Sequence, residues 1–505
     1  MKRRQIILVL LALALSPLAC TSVDKKASAR EPQSTPGLLV DLLKLKTDIA
    51  SNAVDAQNCH EYFQSQLQAL QEERLQEIPF ERAKHDSEKI MHATWQNRLA
   101  IHAGLSKYVS CRTELRQLFY RLRSIEDLAA DRFYGEKQTT QNDLRDFQNQ
   151  PIPLVDNDFY HGYLGSSGAV EKATVPFRSG DLMVTRGLSF FSAALSMIPD
   201  HPSQLDHFVL VHRDNTGKMQ TIESYAQTGG VAAFPMDYAL KNENARIMLL
   251  RPKDAALGAK AAQIMLDAVE EGERNPSKKI GYDFFMDLEN PERMTCSAVT
   301  YWGFRRASND EFKIPEEKST VSPKLSQIFE NTGIKQGPLL TAGDIELDTR
   351  FELLLEFRDP RLIQDGRIRE VVEQSIFKWM KEYNYRLRPT LGTIAIDTLI
   401  YPLRPTKLWP VVRKVTGSPD FPLETPKGFI KTLKQLNDVS DVLYKRVYDA
   451  TLKNREKTGW GLTQQQMLDV LDQYRVEDLK NCNSRGGGYA HFTSNFGAVP
   501  CSTKR

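Results

Sequence analysis

"LDHFVLVHRDNTGKMQTIESY", Leu205–Tyr225, reads as two β-rich runs around the turn residues Asp214–Lys218. Apolar and β-branched residues on both sides of an Asn- and Gly-bearing break are the pattern of a hairpin. Successive side chains of a strand face opposite ways. His207 and His212 stand an odd step apart, so only one of them can face a common site. His207 opens the first run, and closing the hairpin brings it toward Glu223 of the second.

The same texture extends outward. "GDLMVTR" (Gly180–Arg186) precedes the hairpin and "ARIMLLRP" (Ala245–Pro252) follows it. Then come a helical run (Ala255–Glu273), the loop "YDFFMDL" (Tyr282–Leu288) and "MTCSAVTYWGF" (Met294–Phe304). In the last of these, Val299, Trp302 and Phe304 fall at roughly helical spacing and put Cys296 in the first turn of a helix. The unit ends near "TAGDIELDTRFELLLEFRDP" (Thr341–Pro360), so an α+β segment over 175–360 is expected. Residues 37–150 carry apolar residues at three- and four-residue steps and predict two or three antiparallel helices. Their histidines, His60, His85, His92 and His102, read as residues of solvated faces. Residues 361–505 are mainly helical, with Pro-rich interruptions and a Gly-rich tail; "RGGGYAH" lacks the Gly-Lys-Ser/Thr of a phosphate loop.

The first residues predict export. Lys2, Arg3 and Arg4 precede the apolar run Ile6–Leu15, which is too short to span a bilayer and fits a signal peptide over 1–19. "SPLAC" places Cys20 where a bacterial lipobox would carry its lipidated cysteine, with Pro17 as a departure; residues 20–36 read as a tether. The expected place is the cell envelope, on the periplasmic side, anchored by lipid. Those three basic residues account for the whole formal charge of +3, so no basic stripe supports nucleic-acid binding.

Export makes the surroundings oxidising and changes how the six cysteines are read. With Cys20 reserved for lipid, Cys59 with Cys111 and Cys482 with Cys501 form two local disulfide pairs, and Cys296 is left over as a candidate reactive thiol. No CxxC or HExxH spacing is present, so neither a metal site nor a cofactor is expected.

A cysteine nucleophile needs thiolate character, a base and a group that orients the base. A helix N-terminus supplies the first through its unsatisfied N–H groups. His207 and Glu223 are the candidates for the other two roles. "SGDLMVTRG", "LDHFVLVHRD" and "MQTIESYAQTGGV" resemble the strand core of NlpC-type, papain-like cysteine hydrolases, in which the cysteine helix usually comes first. Here it follows, about a dozen residues after "YDF", which resembles the circularly permuted YiiX/YebB-like branch. The likeness covers about 175–360 and leaves out both helical flanks. It implies a permuted papain-like domain with Cys296 as nucleophile, His207 as base, Glu223 as orienter and Tyr282 near the oxyanion. Two departures stand out: Ser297-Ala298-Val299 in place of Ser-Glu-Leu, and "HFVLV" in place of "HVGI".

Asp181 reads as a turn residue, Ser189 as the N-cap of a short helix, and "TGGV" (Thr228–Val231) as a turn, with or without substrate against its backbone. The expected function is cleavage of an amide bond, with peptidoglycan stem peptides first among substrates. Thioester or lipid-ester hydrolysis and acyl transfer are alternatives, and so is a non-catalytic envelope scaffold with a vestigial site.

Overall fold

In the computed structural model, Leu205–Tyr225 forms the centre of an eight-stranded sheet. The structure describes residues 36–134, 152–153, 174–175, 177–200, 202–241, 244–315, 318–320, 334, 337–358, 360–383, 385–387, 401–416, 422–484 and 496–497. The strands are β1 (Leu182–Gly187), β2 (His207–Arg213), β3 (Met219–Tyr225), β4 (Gly230–Pro235), β5 (Asn244–Pro252), β6 (Gly281–Tyr282), β7 (Arg293–Met294) and β8 (Phe351–Arg358). Their order is β8-β5-β1-β2-β3-β4-β6-β7. Every neighbouring pair is antiparallel except β6–β7. All eight strands lie inside the 175–360 segment, and the chain is mixed α+β with a curled sheet.

Leu210 pairs with Ile222 and His212 with Gln220. Asp214 closes the turn between β2 and β3 by accepting from the backbone N–H of Thr216 and Lys218. Leu182, Val184, Phe208, Leu210, Ile222, Met248 and Leu250 form one apolar face, against α7 (Ala255–Arg274) and α8 (Cys296–Ala307). Full burial contributes about 1.5–3 kcal/mol per large apolar side chain, so this layer fixes where α8 sits. The opposite face, Met183, Val209, Val211, Ile247 and Leu249, packs against Phe177 and α6 (Met236–Lys241). Gly180 has φ +92°, and a Cβ there would fall 2.3 Å from the Gly258 carbonyl carbon, so the turn into β1 rests directly on α7.

The N-terminal segment holds four helices where two or three were expected: α1 (Gly37–Ala50), α2 (Cys59–Ala69), α3 (Phe80–Ala103) and α4 (Arg112–Tyr134). The first long run breaks at Asp55, whose side chain accepts from the N–H groups of Gln57 and Asn58 and so competes with the helix. A disulfide joins Cys59 to Cys111. His102 corrects the expectation of a solvated face. It is buried between α3 and β8, with Nδ1 on the Glu346 carbonyl at 2.9 Å and Nε2 against the N–H of Leu353 at 3.2 Å, and burial holds its pKa down.

α5 (Phe190–Met197) lies against α10 (Pro360–Glu382) and α11 (Lys427–Thr458), through a core that includes Phe190, Ala194, Ile368, Val372 and Leu443. α9 (Ala342–Glu346) precedes β8, and α12 (Gln464–Ser484) completes the C-terminal layer. Residues 36–505 form one compact unit, so the limits at 150, 175 and 361 mark changes of sequence texture within it. The signal segment, Cys20 with its tether, and the Cys482–Cys501 pairing lie outside the described residues. Among the described residues no helix is long and apolar enough to cross a membrane, and no cluster of His, Cys, Asp and Glu could hold a metal.

Candidate active site

Cys296 is the first residue of α8, half-buried and not in a disulfide. Thr295 caps the helix, its side-chain oxygen accepting from Ala298 N–H at 3.3 Å, and Val299 N–H donates to the Thr295 carbonyl. The amides of Cys296 and Ser297 are the first two of the helix, where backbone N–H groups have no partner in the preceding turn. Sγ itself lies 3.9 Å from the Asp206 carbonyl oxygen.

His207 opens β2, and its Nε2 lies 2.9 Å from Glu223 Oε2. The ring's other nitrogen, Nδ1, is thus the one left for Cys296. Burial opposes a charge on this ring. The Cys296 side chain, by charge and by hydrogen bond, and then Glu223 outweigh it and push His207 up to about 10. A raised imidazole beside a thiol at a helix N-terminus is the setting of an imidazolium–thiolate pair.

Glu223 is fully buried. Besides His207 it accepts from Thr221 Oγ1 at 2.5 Å and from Tyr225 OH at 2.6 Å. The Tyr225 ring stacks on His207 with centroids 4.6 Å apart and planes 23° from parallel. The base is therefore held through its nitrogen and through its face. His212 points away, with Nε2 2.9 Å from Gln263 Oε1 of α7.

Tyr282 borders the same space, buried at the end of β6. Burial, then the Cys296 and Asp283 charges, raise its phenol, so it stays a donor. The following loop is tied by Asp283, which accepts from Phe285 N–H at 2.9 Å and Asp287 N–H at 2.5 Å. Between them Met286 is held at φ 55°, a left-handed conformation rare outside glycine.

Two residues of the site escaped the sequence reading. One is Tyr225, the last residue of β3; an aromatic at a strand end carries no mark of this role. The other is Asp206, whose carboxylate accepts from Gly187 N–H at 3.1 Å. Burial raises Asp206 to about 6, against that hydrogen bond and the His207 charge.

The other sequence candidates have structural places. Asp181 is buried and accepts from Arg251 at 2.7 Å through both oxygens. Ser189 caps α5, accepting from Ser192 N–H at 2.8 Å. Gly230 sits at φ +139°, and a Cβ there would meet the Ile280 carbonyl at 2.1 Å, so "TGGV" is the turn that lets β4 reach β6.

Two spaces meet at Cys296. One cleft is lined by Ser192, Asp206, His207, Ser224, Gln227 and Asn244, and also by Leu188, Phe191, Leu195 and Tyr238. On the other side a mostly apolar recess, which shares Leu195 and Asp206 with the cleft, runs between Ile198, Met286, Leu288, Leu339 and Leu340. Comparison of the chain with protein-family models, with curated proteins and with solved structures finds no match.

Proposed function

We propose that this chain is a cysteine hydrolase with a circularly permuted papain-like, NlpC-type domain, cleaving an amide or ester carbonyl through Cys296, His207 and Glu223. The observation that carries this reading is one line of contacts: a free thiol at a helix N-terminus, an imidazole raised by that thiol, and a buried carboxylate 2.9 Å from its far nitrogen.

His207 takes the Cys296 proton, and the thiolate attacks the carbonyl carbon. The oxyanion is held by the first amides of α8 and by the Tyr282 hydroxyl. Collapse expels the amine or alcohol, which leaves with the proton from His207, and the acyl group stays on Sγ as a thioester. Water then attacks with His207 as base, the acid departs, and the thiol is restored. Glu223 holds the ring and balances its charge without taking the proton.

Peptidoglycan stem peptides remain the first amide substrate to try, since the sequence points to the cell envelope. The apolar void beside the thiol favours the second reading, an acyl ester or thioester. The test is kinetic. Wild type, Cys296→Ala, His207→Ala and Glu223→Gln are compared on muropeptides, read by mass spectrometry, and on short acyl esters. Cys296→Ala and His207→Ala are expected to be inactive, because loss of acid–base help alone costs about 10²–10⁴-fold; Glu223→Gln should keep partial activity. Iodoacetamide at pH 6 should alkylate Cys296 faster than it does glutathione, and a rate no faster would end the nucleophile reading.

A further inference from the structure

The three most exposed large apolar side chains among the described residues lie close together in the chain: Val411 at 63%, Leu408 at 59% and Leu423 at 57%. They belong to a stretch that the active site does not use. The helix Trp409–Thr416 leads out of a turn in which Trp409 N–H donates to the Thr406 carbonyl and Val411 N–H to the Leu408 carbonyl, each at 3.1 Å. Leu408, Val411 and Lys414 stand three residues apart, and Lys407 lies four before Val411, so the four share one helical face. All four are exposed, and neither lysine makes an ion pair among the described residues. The face is an aliphatic centre between two positive ends. The buried Arg404 ties Leu423 to the same region: its guanidinium donates to the Pro422 carbonyl and, at 3.4 Å, to the Thr425 carbonyl. From Arg404 to Lys431 the sequence holds six basic residues and two acidic ones, a local excess inside a chain whose net charge is otherwise balanced. One of the two acids, Glu424, lies against Gly229, where a Cβ would fall 3.3 Å from its Oε1.

Single apolar residues on a surface need no explanation. Here the residues around them do. Protein partners favour aromatic residues, Met and Arg at the centre of an interface and avoid Lys. Leu and Val framed by lysines suit a bilayer instead: the aliphatic side chains reach the acyl boundary while the lysine stems run along it and carry their ammonium groups to the phosphates. We propose that this face is a peripheral membrane contact, in which Leu408, Val411 and Leu423 enter the headgroup–acyl boundary of an anionic bilayer and Lys407 and Lys414 pair with its phosphates. The proposal stands apart from the hydrolase reading and concerns how the molecule is oriented. Pro422, next to Leu423, rests on Gly229, whose Cβ would fall 3.0 Å from its Cγ. Gly229 follows Tyr225, Ala226 and Gln227, which line the cleft at Cys296, so a bilayer on this face lies beside that cleft.

The experiment uses residues 36–505, the compact unit, so that neither the signal segment nor a lipid anchor contributes. Binding is read by co-flotation with vesicles of phosphatidylglycerol and phosphatidylethanolamine, beside vesicles of phosphatidylcholine alone. The expected result is binding to the anionic vesicles that weakens as salt is raised to about 0.5 M. Lys407→Gln with Lys414→Gln should lower the affinity about thirtyfold, the scale of two lysines at an anionic surface. Leu408→Ser with Val411→Ser should lower it about tenfold or more, since two aliphatic side chains no longer leave water. All four positions are exposed, so both double variants should keep the wild-type circular dichroism and melting temperature. No binding to the anionic vesicles, or binding that both double variants leave unchanged, overturns the proposal. Equal binding to phosphatidylcholine overturns the role of the anionic headgroup. A mass that rises with protein concentration in sedimentation, is restored to the monomer by Leu408→Ser with Val411→Ser, and comes without vesicle binding would assign the face to a second copy of the chain and overturn it as well.

Discussion

Glu223 has no exposure and three donors around it, so it is a fixed acceptor against which His207 is set. The raised His207 gives a prediction with a definite sign. Its free value is about 6.5, and in the fold it lies at about 10. A base raised on folding contributes stability that is fully present below about pH 6.5 and is lost as pH rises through about 10. By NMR, the His207 ring should stay protonated from pH 5 to 8 in wild type. In Cys296→Ala it should titrate at lower pH, because the cysteine is the larger of the influences that raise it; identical titrations in the two proteins would contradict the pair. Tyr225→Phe removes one donor from Glu223 but keeps the stacked ring, so kcat should fall by about ten- to a hundredfold, the scale of a hydrogen bond to a charged group. A Tyr225→Ala variant that loses no more than Tyr225→Phe would deny the stacked face any role. The His207–Glu223 pairing was legible because strand alternation and a short turn determine it. Tyr225 and Asp206 were not, since their roles depend on which ring lies beside them and on the Gly187 amide, neither of which has a local pattern.

At the scale of the element, the placement of Cys296 is a capping problem. Thr295 ends the strand-like approach from β7 and turns its oxygen onto Ala298 N–H, which starts α8 at the cysteine. Thr295→Ala should cost about 1 kcal/mol, the usual value of a lost cap. It should also slow Cys296 alkylation at pH 6, because a frayed first turn no longer aims its amides at Sγ. Thr295→Ser keeps the acceptor and should restore both; a Thr295→Ala protein with wild-type stability and thiol reactivity would argue against this. The strands and helices around the site were legible because each is one amphipathic or alternating run between turn residues. The N-terminal helices were legible in kind but not in number. Asp55 ends a run through two side-chain hydrogen bonds that apolar periodicity does not register.

Across the whole molecule, the N-terminal helices meet the sheet through buried charge, which no apolar pattern could have announced. Arg98 of α3 is fully buried, 2.7 Å from Glu346, 2.5 Å from Glu356 of β8 and 3.5 Å from Glu126 of α4. Arg186 of β1 bonds Asp127 of α4 at 2.9 Å and Glu370 of α10 at 2.5 Å. Arg246 and Arg358 also reach this acidic group. Burial would raise Glu346 and Glu356, yet the arginines overcome it and hold both below the usual carboxylate range. Replacing a whole buried cluster by apolar residues can be neutral, but removing one member leaves charge without its partner, at about 3–5 kcal/mol. Arg98→Met should destabilise by about that much at pH 7, in denaturant unfolding, because Glu126, Glu346 and Glu356 each lose a buried cation and are left to Arg123, Arg246 and Arg358. The pH dependence separates this cause from simple loss of packing. In the wild type the depressed carboxylates contribute stability that is present above about pH 4.3, the free Glu value, and is lost as pH falls. In the variant the same groups lose a cation, their folded pKa rises, and proton uptake relieves the repulsion on acidification. The stability gap between wild type and variant should therefore narrow from pH 7 to pH 5. A gap that stays constant over that range would assign the loss to the missing side-chain volume and not to the unpaired charge.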